Sequence, residues 1–199
     1  MNQPFIYKYQ PQHINDFIFD ENMKNLLQTL IKMNNCNLLI QGDIGVGKSS
    51  LIFSIINDYY NNENTNSAIN QTSKINENIL IINNLKDQGV QYYRNEVKTF
   101  CQSTSSIKNK KKFIVIDDID FIPDQSQQVF RNCIDKYSNN VFFIMSCNNL
   151  QKVIDSIQSR QLIIKMKNHT LEQCREIMEL VIKKEKLQID VFSKKYILQ

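Results

Sequence analysis

Residues 42–49 read Gly42-Asp43-Ile44-Gly45-Val46-Gly47-Lys48-Ser49, which fits the pattern G-x-x-x-x-G-K-[ST]. An apolar stretch, 37–41, precedes this segment, and an amphipathic stretch beginning at Ser50 follows it. Glycines let the backbone turn successive N–H groups inward, and a helix that follows presents the positive end of its dipole. The segment therefore predicts a strand, a phosphate-binding loop and a helix, and the flanking patterns disfavour an ordinary glycine-rich turn.

Two side chains at the end of this loop carry chemistry. The Lys48 ammonium would reach the β- and γ-phosphates of a nucleotide, and the Ser49 hydroxyl would ligate Mg²⁺. By itself the loop indicates a nucleotide and no particular task. The predicted nucleotide-binding residues of the segment are Gly42, Asp43, Ile44, Gly45, Val46, Gly47, Lys48, Ser49 and Ser50.

Composition limits the class of protein. A chain of 199 residues can form one well-buried domain with a small appendage. Its net charge of +4 permits contact with nucleic acid but does not argue for it. The five cysteines include no C-x-x-C pair, which disfavours a zinc site or a disulfide framework and indicates a reducing compartment. Since no apolar run approaches the ~20 residues of a membrane span, we predict a soluble intracellular protein without a membrane partner.

Short apolar runs alternate with amphipathic stretches along the chain. Predicted strands cover 37–41, 79–82, 113–116, 141–145 and 161–166. Predicted helices begin near 21, run from the loop to about 60, and cover 91–102, 126–137 and 170–186, the last with Thr170 as N-cap, while a further helix barely starts before 199. This alternation predicts a parallel sheet covered by helices on both faces, with ligands at the carboxyl ends of the strands.

Three segments carry weaker signals. Residues 1–20 contain prolines and several aromatics and are predicted to form an extended arm. Residues 61–78 are rich in Asn, Thr and Ser without periodicity, which predicts a loop or poorly ordered insertion. The basic run 108–112 is interpreted as a solvated entry to the strand that follows it.

A second acidic motif follows the predicted strand 113–116. Asp117 and Asp118 stand at its carboxyl end, where a Mg²⁺ held by the loop would need an acidic partner. We expect Asp117 to act on the metal through water and Asp118 to polarise the attacking water. Because phosphoryl transfer requires positioning and charge neutralisation more than covalent chemistry, these residues predict ATP hydrolysis with ATP and Mg²⁺ as cofactors.

Nearly the whole chain resembles the small subunits of replication factor C, the AAA+ clamp loaders that open a sliding clamp and close it around primed DNA. Besides Asp87-Gln88-Gly89-Val90, which is similar to the family segment Glu-Arg-Gly-Ile, five segments carry the resemblance. They match the family's Lys-Tyr-Arg-Pro arm, its Asp-Glu-Ala-Asp box, the Gln-Gln-Ala-Leu-Arg helix, the sensor 1 strand end and the Ile-Gln-Ser-Arg-Cys motif. In this chain they read Lys8-Tyr9-Gln10-Pro11, Asp117-Asp118-Ile119-Asp120, Gln127-Gln128-Val129-Phe130-Arg131, Ser146-Cys147-Asn148 and Ile157-Gln158-Ser159-Arg160.

The resemblance implies an α/β fold: an AAA+ P-loop NTPase three-layer αβα core with a parallel sheet, followed by the start of a small helical lid. It divides the chain into an N-terminal arm (1–20), an ATPase core (21–167) and a partial lid (168–199). Tyr9 and Pro11 would lie near the adenine. Asn148 would contact the γ-phosphate or its water, and Arg160 would reach the ATP of a neighbouring subunit.

The implied function is that of an ATP-hydrolysing subunit of a clamp loader in DNA replication. Its partners would be other loader subunits, a sliding clamp and primer-template DNA, which is bound through its phosphates. The compartment would be the nucleus or a viral or organellar replication compartment. Two other functions remain open: a nucleotide-binding scaffold that hydrolyses little, and another AAA+ machine such as a helicase loader. The Gln158-Ser159-Arg160 motif argues against the latter.

Two departures from the family pattern bear on function. Asp118 is one methylene shorter than the family's glutamate, which predicts slow hydrolysis because a misplacement of about 1 Å costs on the order of a hundredfold in rate. The residues also end before the family's sensor 2 arginine and collar domain. We expect either a fragment of a longer protein or a chain that lacks its main oligomerisation domain.

Overall fold

The computed structural model describes residues 3–61, 68–82 and 90–198. The strands are β1 (Leu38–Gln41), β2 (Ile79–Ile82), β3 (Lys112–Ile116), β4 (Val141–Cys147) and β5 (Leu162–Lys165). The helices are α1 (Phe5–Lys8), α2 (Glu21–Lys32), α3 (Lys48–Asn61), α4 (Ala68–Glu77), α5 (Val90–Gln102), α6 (Asp124–Tyr137), α7 (Asp155–Gln158), α8 (Leu171–Glu185) and α9 (Val191–Ile197).

The strands form a single parallel sheet in the order β2-β3-β4-β1-β5. The register pairs Ile40 with Ser146 across β1 and β4, and Val115 with Ile144 across β3 and β4. β4 therefore lies between β1, which leads into the glycine-rich loop, and β3, which leads into Asp117. The ends of these three strands meet at one edge, which we call the carboxyl edge; the opposite side is the amino edge.

Alternate residues of each strand enter two separate cores. Phe113 and Val115 of β3 pack with α2 and α3 on one face, whereas Ile114 and Ile116 pack with α5 and α6 on the other. The central strands are apolar throughout because side chains on successive residues face opposite sides of a sheet that is buried twice. This arrangement confirms the predicted three-layer αβα fold.

The N-terminal arm was predicted to be extended, but the structure shows that it is not extended throughout. It contains the one-turn helix α1 and a 3₁₀ turn at Ile14–Asp16. The Asp16 carboxylate accepts hydrogen bonds from the backbone N–H groups of Gln12 (3.0 Å) and His13 (2.9 Å). A short side chain that binds nearby backbone donors favours such turns, and this local chemistry interrupts the extended arm.

The prediction of a loop over 61–78 is wrong for its second half, because α4 occupies 68–77; residues 62–67 lie outside the described part of the chain. Ile75 of α4 packs against the core beside β2. With so few apolar residues, the helix leaves little periodicity in the sequence. Its tertiary contact, not its composition, decides the conformation.

The basic run also differs from its interpretation. Lys112 is buried at the start of β3, and its ammonium binds the carbonyl of Phe100 and the hydroxyl of Ser103 (2.7 Å). Lys110 and Lys111 each donate to a backbone carbonyl at 3.0 Å, those of Tyr59 and Ser138. These three ammonium groups hold the ends of helices in place rather than projecting into solvent.

The predicted final helix is confirmed as α8. The Thr170 hydroxyl accepts from the N–H of Gln173 (3.2 Å), and the Gln173 side chain accepts in return from the N–H of Thr170 (2.9 Å). This reciprocal pair is a capping box. Across residues 3–61, 68–82 and 90–198, none of the helices has both the length and the apolar character needed to cross a bilayer.

Candidate functional site

The carboxyl edge brings together the loop 42–47, the acidic pair after β3 and Asn148 after β4. Because β4 lies between β1 and β3, Asn148 stands between the loop and the acidic pair. Hydrogen bonds within this cluster join residues that are far apart in sequence: Ser49 and Asp117 are separated by 68 residues, and Lys48 and Asn148 by 100. The parallel order of the strands is what places these side chains within hydrogen-bonding distance of one another.

The loop conformation depends on its glycines. Gly45 and Gly47 have φ angles of 86° and 93°, in a region that residues with a Cβ rarely adopt. A Cβ on Gly42 would lie 2.9 Å from Cγ2 of Val46, whose side chain is buried and anchors the loop. Since α3 begins at Lys48, the unpaired N–H groups of its first turn border the loop. The loop therefore has the features of an anion-binding site.

Lys48 is almost fully buried, with 7% of its surface exposed. Its ammonium donates to the carbonyl oxygens of Gly42 (3.0 Å) and Asp43 (2.9 Å) and to Oδ1 of Asn148 (2.7 Å). These three acceptors match the three donors of an ammonium group. The positive charge is thus held at the centre of the loop by oxygens of moderate strength, which a phosphate group would outcompete.

Asp117 joins the loop to the sheet. The Ser49 hydroxyl donates to Oδ2 of Asp117 at 2.9 Å, and the Ser146 hydroxyl donates to Oδ1 at 2.5 Å. Ser146 also accepts from the N–H of Asp118 (2.8 Å) and is fully buried. Sequence reasoning assigned no role to Ser146. The signal that could have found it is a lone hydroxyl in the otherwise apolar strand β4.

Asp118 is held in an uncommon conformation beside Asn148. Its φ of 52° is left-handed, and its Oδ1 lies 3.5 Å from Nδ2 of Asn148. Burial, followed by the nearby charge of Asp117, raises the pKa of Asp118 above its ordinary value. Lysine can only donate and a carboxylate can only accept, so the Asn148 amide has one orientation that satisfies both neighbours. Asn148 therefore bridges Lys48 and Asp118.

Gln127 fixes the turn that follows the acidic pair. Its side chain, on α6, is fully buried and donates to the carbonyls of Ile122 and Lys152, both at 2.9 Å. Its Oε1 accepts from the N–H of Ile154 at 3.0 Å. One amide thus ties the segment after β3 to the segment after β4, from which the chain continues to Arg160.

Tyr9 and Pro11 lie beside the helices that flank the loop. The Tyr9 hydroxyl donates to Oε1 of Glu185 on α8 (2.6 Å), and the Pro11 carbonyl accepts from Ser54 on α3 (3.2 Å). A separate cavity of about 500 Å³ opens between α2, α3, β5 and α8. Its lining includes Ile18, Phe19, Met23, Leu51, Met166 and Gln173.

Arg160 is not part of this cluster. It lies two residues before β5 and therefore at the amino edge, opposite the loop. Its Nε donates to Oδ1 of Asp135 at 2.5 Å, and an Nη donates to the Ser156 carbonyl at 2.7 Å. The hydrogen bond from Arg160 holds the pKa of Asp135 below its ordinary value. The structure thus brings the loop, Asp117, Asp118 and Asn148 together and leaves Arg160 apart.

Residues 38–168 match the sequence profile of the ATPase family associated with various cellular activities, AAA. The chain belongs to the AAA family. Membership implies nucleotide binding and agrees with the glycine-rich loop and acidic pair at the carboxyl edge. The profile ends at the residue where the predicted lid begins.

Curated relatives of this AAA chain include replication factor C subunits. A protein named as a replication factor C small subunit in Acanthamoeba polyphaga mimivirus is 29% identical over 188 residues, which is 94% of this chain and 55% of that protein. Replication factor C subunit 5 of Homo sapiens is 28% identical over 94% of this chain and 53% of that protein. The resemblance predicted from the motifs is confirmed, and the chain spans about half the length of these relatives.

Solved structures agree with the AAA fold. A RuvB variant from Thermotoga maritima superposes with a TM-score of 0.68 at 14% identity, covering 96% of this chain and 59% of that one. A DNA polymerase III gamma subunit-related protein from the same organism gives a TM-score of 0.59 at 15% identity, over 86% and 53%. At such low identity these likenesses establish the fold alone.

Proposed function

We propose that this AAA protein is an ATP-binding and ATP-hydrolysing subunit of a DNA sliding-clamp loader. The observation that carries the proposal is the pair of contacts at the carboxyl edge, Lys48 to Asn148 and Ser49 to Asp117. They join the loop after β1 to the ends of β3 and β4, as a site for phosphoryl transfer requires. Similarity to replication factor C subunits along 94% of the chain supports the choice of machine.

In this proposal the loop N–H groups and Lys48 bind the phosphates of ATP. Ser49 and Asp117 would hold Mg²⁺, since a hydroxyl and a carboxylate are the oxygen ligands that this ion prefers and the two groups already lie 2.9 Å apart. Bound Mg²⁺ supplies neutralisation of phosphate charge. Ser146 keeps the Asp117 carboxylate oriented through its 2.5 Å hydrogen bond.

The cavity between α2, α3, β5 and α8 is our candidate site for the adenine. Its volume of about 500 Å³ lies within the range of small-molecule pockets. Apolar side chains such as Phe19, Met23 and Met166 would cover the faces of a purine, and the lining also includes polar residues such as Asn22 and His169. Tyr9 at the end of α8 and Pro11 beside α3 would act from outside the residues that line the cavity.

Arg160 acts in trans in this proposal. Its place at the amino edge separates it from the loop of its own chain, so its guanidinium would serve the ATP of a neighbouring subunit. Asp135 and the Ser156 carbonyl hold two of its nitrogens, which fixes the planar group at the surface. A fixed guanidinium can neutralise charge that develops in the transition state.

Asp118 and Asn148 would orient the attacking water, and the short side chain of Asp118 limits the rate. We expect Asp118→Glu to raise turnover about tenfold, because the added methylene recovers part of the roughly hundredfold loss associated with a 1 Å misplacement. Steady-state phosphate release measures the turnover, and calorimetric titration measures the ATP affinity. The affinity should stay within about twofold, and a variant with no gain in turnover would contradict the geometric explanation.

The test of the proposed function is phosphate release with and without a sliding clamp and primer-template DNA. A loader subunit should be stimulated by the two together in the presence of its partner subunits, and added salt should weaken DNA binding smoothly because the contacts are to phosphates. Lys48→Ala provides the background rate. ATP binding without stimulated release would instead favour a nucleotide-binding scaffold, and absence of ATP binding would overturn the proposal. The compartment that follows is a site of DNA replication.

A further inference from the structure

The carboxylate of Glu185 collects two donors from the N-terminal arm, more than 170 residues away in sequence. Its Oε1 accepts from the Lys8 ammonium at 2.5 Å and from the Tyr9 hydroxyl at 2.6 Å. Only 20% of the Glu185 side chain is exposed, against 49% for Lys8. The two hydrogen bonds hold the pKa of Glu185 below its ordinary value.

The helix itself does not favour a glutamate at this place. Glu185 is the last residue of α8, where the helix dipole is negative and Lys183 and Lys184 are the favourable residues. An acidic residue in the last turn is opposed by the dipole by a few tenths of a kcal/mol or more. The contact with the arm gives this carboxylate a stabilising partner that its own helix lacks.

The arm continues from Tyr9 onto one face of α3. Residues 10–14 contact positions 50, 54, 57 and 58, whose spacing follows the turns of the helix. The contacts are Gln10 Nε2 to Ser50 Oγ (3.3 Å), Ser54 Oγ to the Pro11 carbonyl (3.2 Å), Asn57 Nδ2 to the Gln12 carbonyl (3.3 Å), His13 Nδ1 to Asp58 Oδ1 (2.6 Å) and Ile14 N to Asp58 Oδ2 (2.9 Å). The first of these positions directly follows Ser49.

We propose that Glu185 is a positioning residue of the nucleotide site that acts through the arm: it holds Tyr9 on the end of α8 and thereby keeps residues 10–14 docked on the helix that follows the phosphate-binding loop. The inference rests on the proposed function for its nucleotide. A free arm must be ordered when ATP binds, and the entropy lost in that ordering reduces affinity. An arm that is already docked avoids this loss.

The experiment measures two quantities in Glu185→Ala: amide hydrogen exchange of residues 9, 10 and 12–14 without nucleotide, and ATP affinity by calorimetry. Loss of one or two hydrogen bonds to a charged group predicts exchange at least roughly fivefold faster and an ATP Kd roughly fivefold higher. Glu176→Gln, an exposed carboxylate on the same helix, should change neither quantity. Glu185→Gln should lie between Glu185→Ala and wild type because its amide oxygen still accepts from Tyr9.

Tyr9→Phe removes one hydroxyl without cutting into a core, so it tests the contact even if Glu185→Ala folds poorly. Combined with Glu185→Ala it should add little to either effect, because both changes break the same contact. Unchanged arm exchange in both single variants would overturn the inference. Faster exchange with unchanged ATP affinity would overturn the positioning role. A wild-type chain that binds no ATP would overturn the proposed function, while the exchange rates would still decide whether Glu185 holds the arm.

Discussion

Two buried lysines, Lys48 and Lys112, lie at opposite edges of the sheet and donate to the same kinds of oxygen. We propose that Lys48 binds phosphate and that Lys112 stabilises the fold. Lys48 at the carboxyl edge donates to two loop carbonyls and Asn148, and 7% of its surface is exposed. Lys112 at the amino edge is 2% exposed, donates to the Phe100 carbonyl and to Ser103, and lies 3.9 Å from the centre of the Phe100 ring. Burial lowers the pKa of Lys112.

The direction of the helices explains why both edges receive lysines. Helices that cross between parallel strands run opposite to them, so their C-terminal carbonyls gather at the amino edge. Tyr59 and Phe100 lie in the last turns of α3 and α5, and Ser138 directly follows α6. Their carbonyls accept from Lys110, Lys112 and Lys111, in that order. Three consecutive lysines thus donate to carbonyls at the negative ends of three helices.

The helices place their N-terminal ends at the carboxyl edge, so the helix dipoles there favour negative charge. The N-terminus of α3 is positive and its first N–H groups have no acceptor within the helix, so in our proposal this edge binds an anion together with Lys48. Lys48 has two of its partners on a partly exposed loop, whereas Lys112 has its partners at and just after the C-terminal end of α5. In our proposal Lys48 binds phosphate and Lys112 is structural, and the difference between the two lysines lies in what surrounds the ammonium group.

The largest expected effect is on ATP binding by Lys48→Met. The variant keeps most of the side chain but removes the charge, and loss of charge-assisted hydrogen bonds to phosphate predicts a Kd about a hundredfold higher, or about 2.7 kcal/mol. Its unfolding midpoint in urea should change little, since solvent can reach the loop carbonyls that Lys48 releases. Calorimetric titration measures the Kd, and urea unfolding measures the midpoint. If Lys48→Met lost as much stability as affinity, Lys48 would be structural in the same way as Lys112.

Lys112→Met should give the reverse pattern. The variant removes the buried ammonium that donates to the Phe100 carbonyl and to Ser103, and the carbonyl keeps only the Ser103 hydroxyl as a donor (2.9 Å). This change predicts a loss of about 1–3 kcal/mol in the free energy of unfolding. ATP affinity of the folded protein should stay within about twofold of wild type. A variant that unfolds like wild type would mean that the 112 ammonium is dispensable at this helix end.

Local sequence patterns predicted most of the fold. The loop 42–49, the apolar strands and the acidic pair each follow from local sequence. The resemblance to replication factor C subunits added Asn148 and Arg160 to the predicted site residues. The order β2-β3-β4-β1-β5 was not predictable from the same patterns, because alternation indicates parallel strands without saying which strands are neighbours. Yet that order is what brings Asn148 between the loop and the acidic pair.

Contacts between distant side chains were the features that sequence reasoning missed. A run such as 108–112 looks like a solvated stretch until the helix ends that it contacts are known. Glu185 likewise reads as one more charge on an amphipathic helix, because its partners lie at residues 8 and 9. Helix α4 was missed for the same reason, since its packing on the core depends on neighbours that are distant in sequence.

The smallest expected effect concerns the acidic pair and sharpens the contrast with the amino edge, where charges stabilise the fold. Burial and the charge of Asp117 raise the pKa of Asp118 above 3.8, its ordinary value. Below pH 3.8 this carboxyl is protonated in both folded and unfolded chains, so its charge makes no difference to stability. As the pH rises through the unfolded and then the folded pKa, the ionised carboxylate increasingly penalises the folded state.

Asp118→Asn should therefore be more stable than wild type at pH 7, and the gain should shrink as the pH falls toward 4. Thermal unfolding between pH 4 and pH 8 measures this difference, and Glu176→Gln serves as a control because its carboxylate is exposed on α8. A gain that is independent of pH would point to the uncommon backbone of Asp118, with its φ of 52°, because asparagine tolerates the left-handed region at any pH. A loss of stability at pH 7 would mean that Asn148 and Lys48 favour the carboxylate more than burial and Asp117 oppose it.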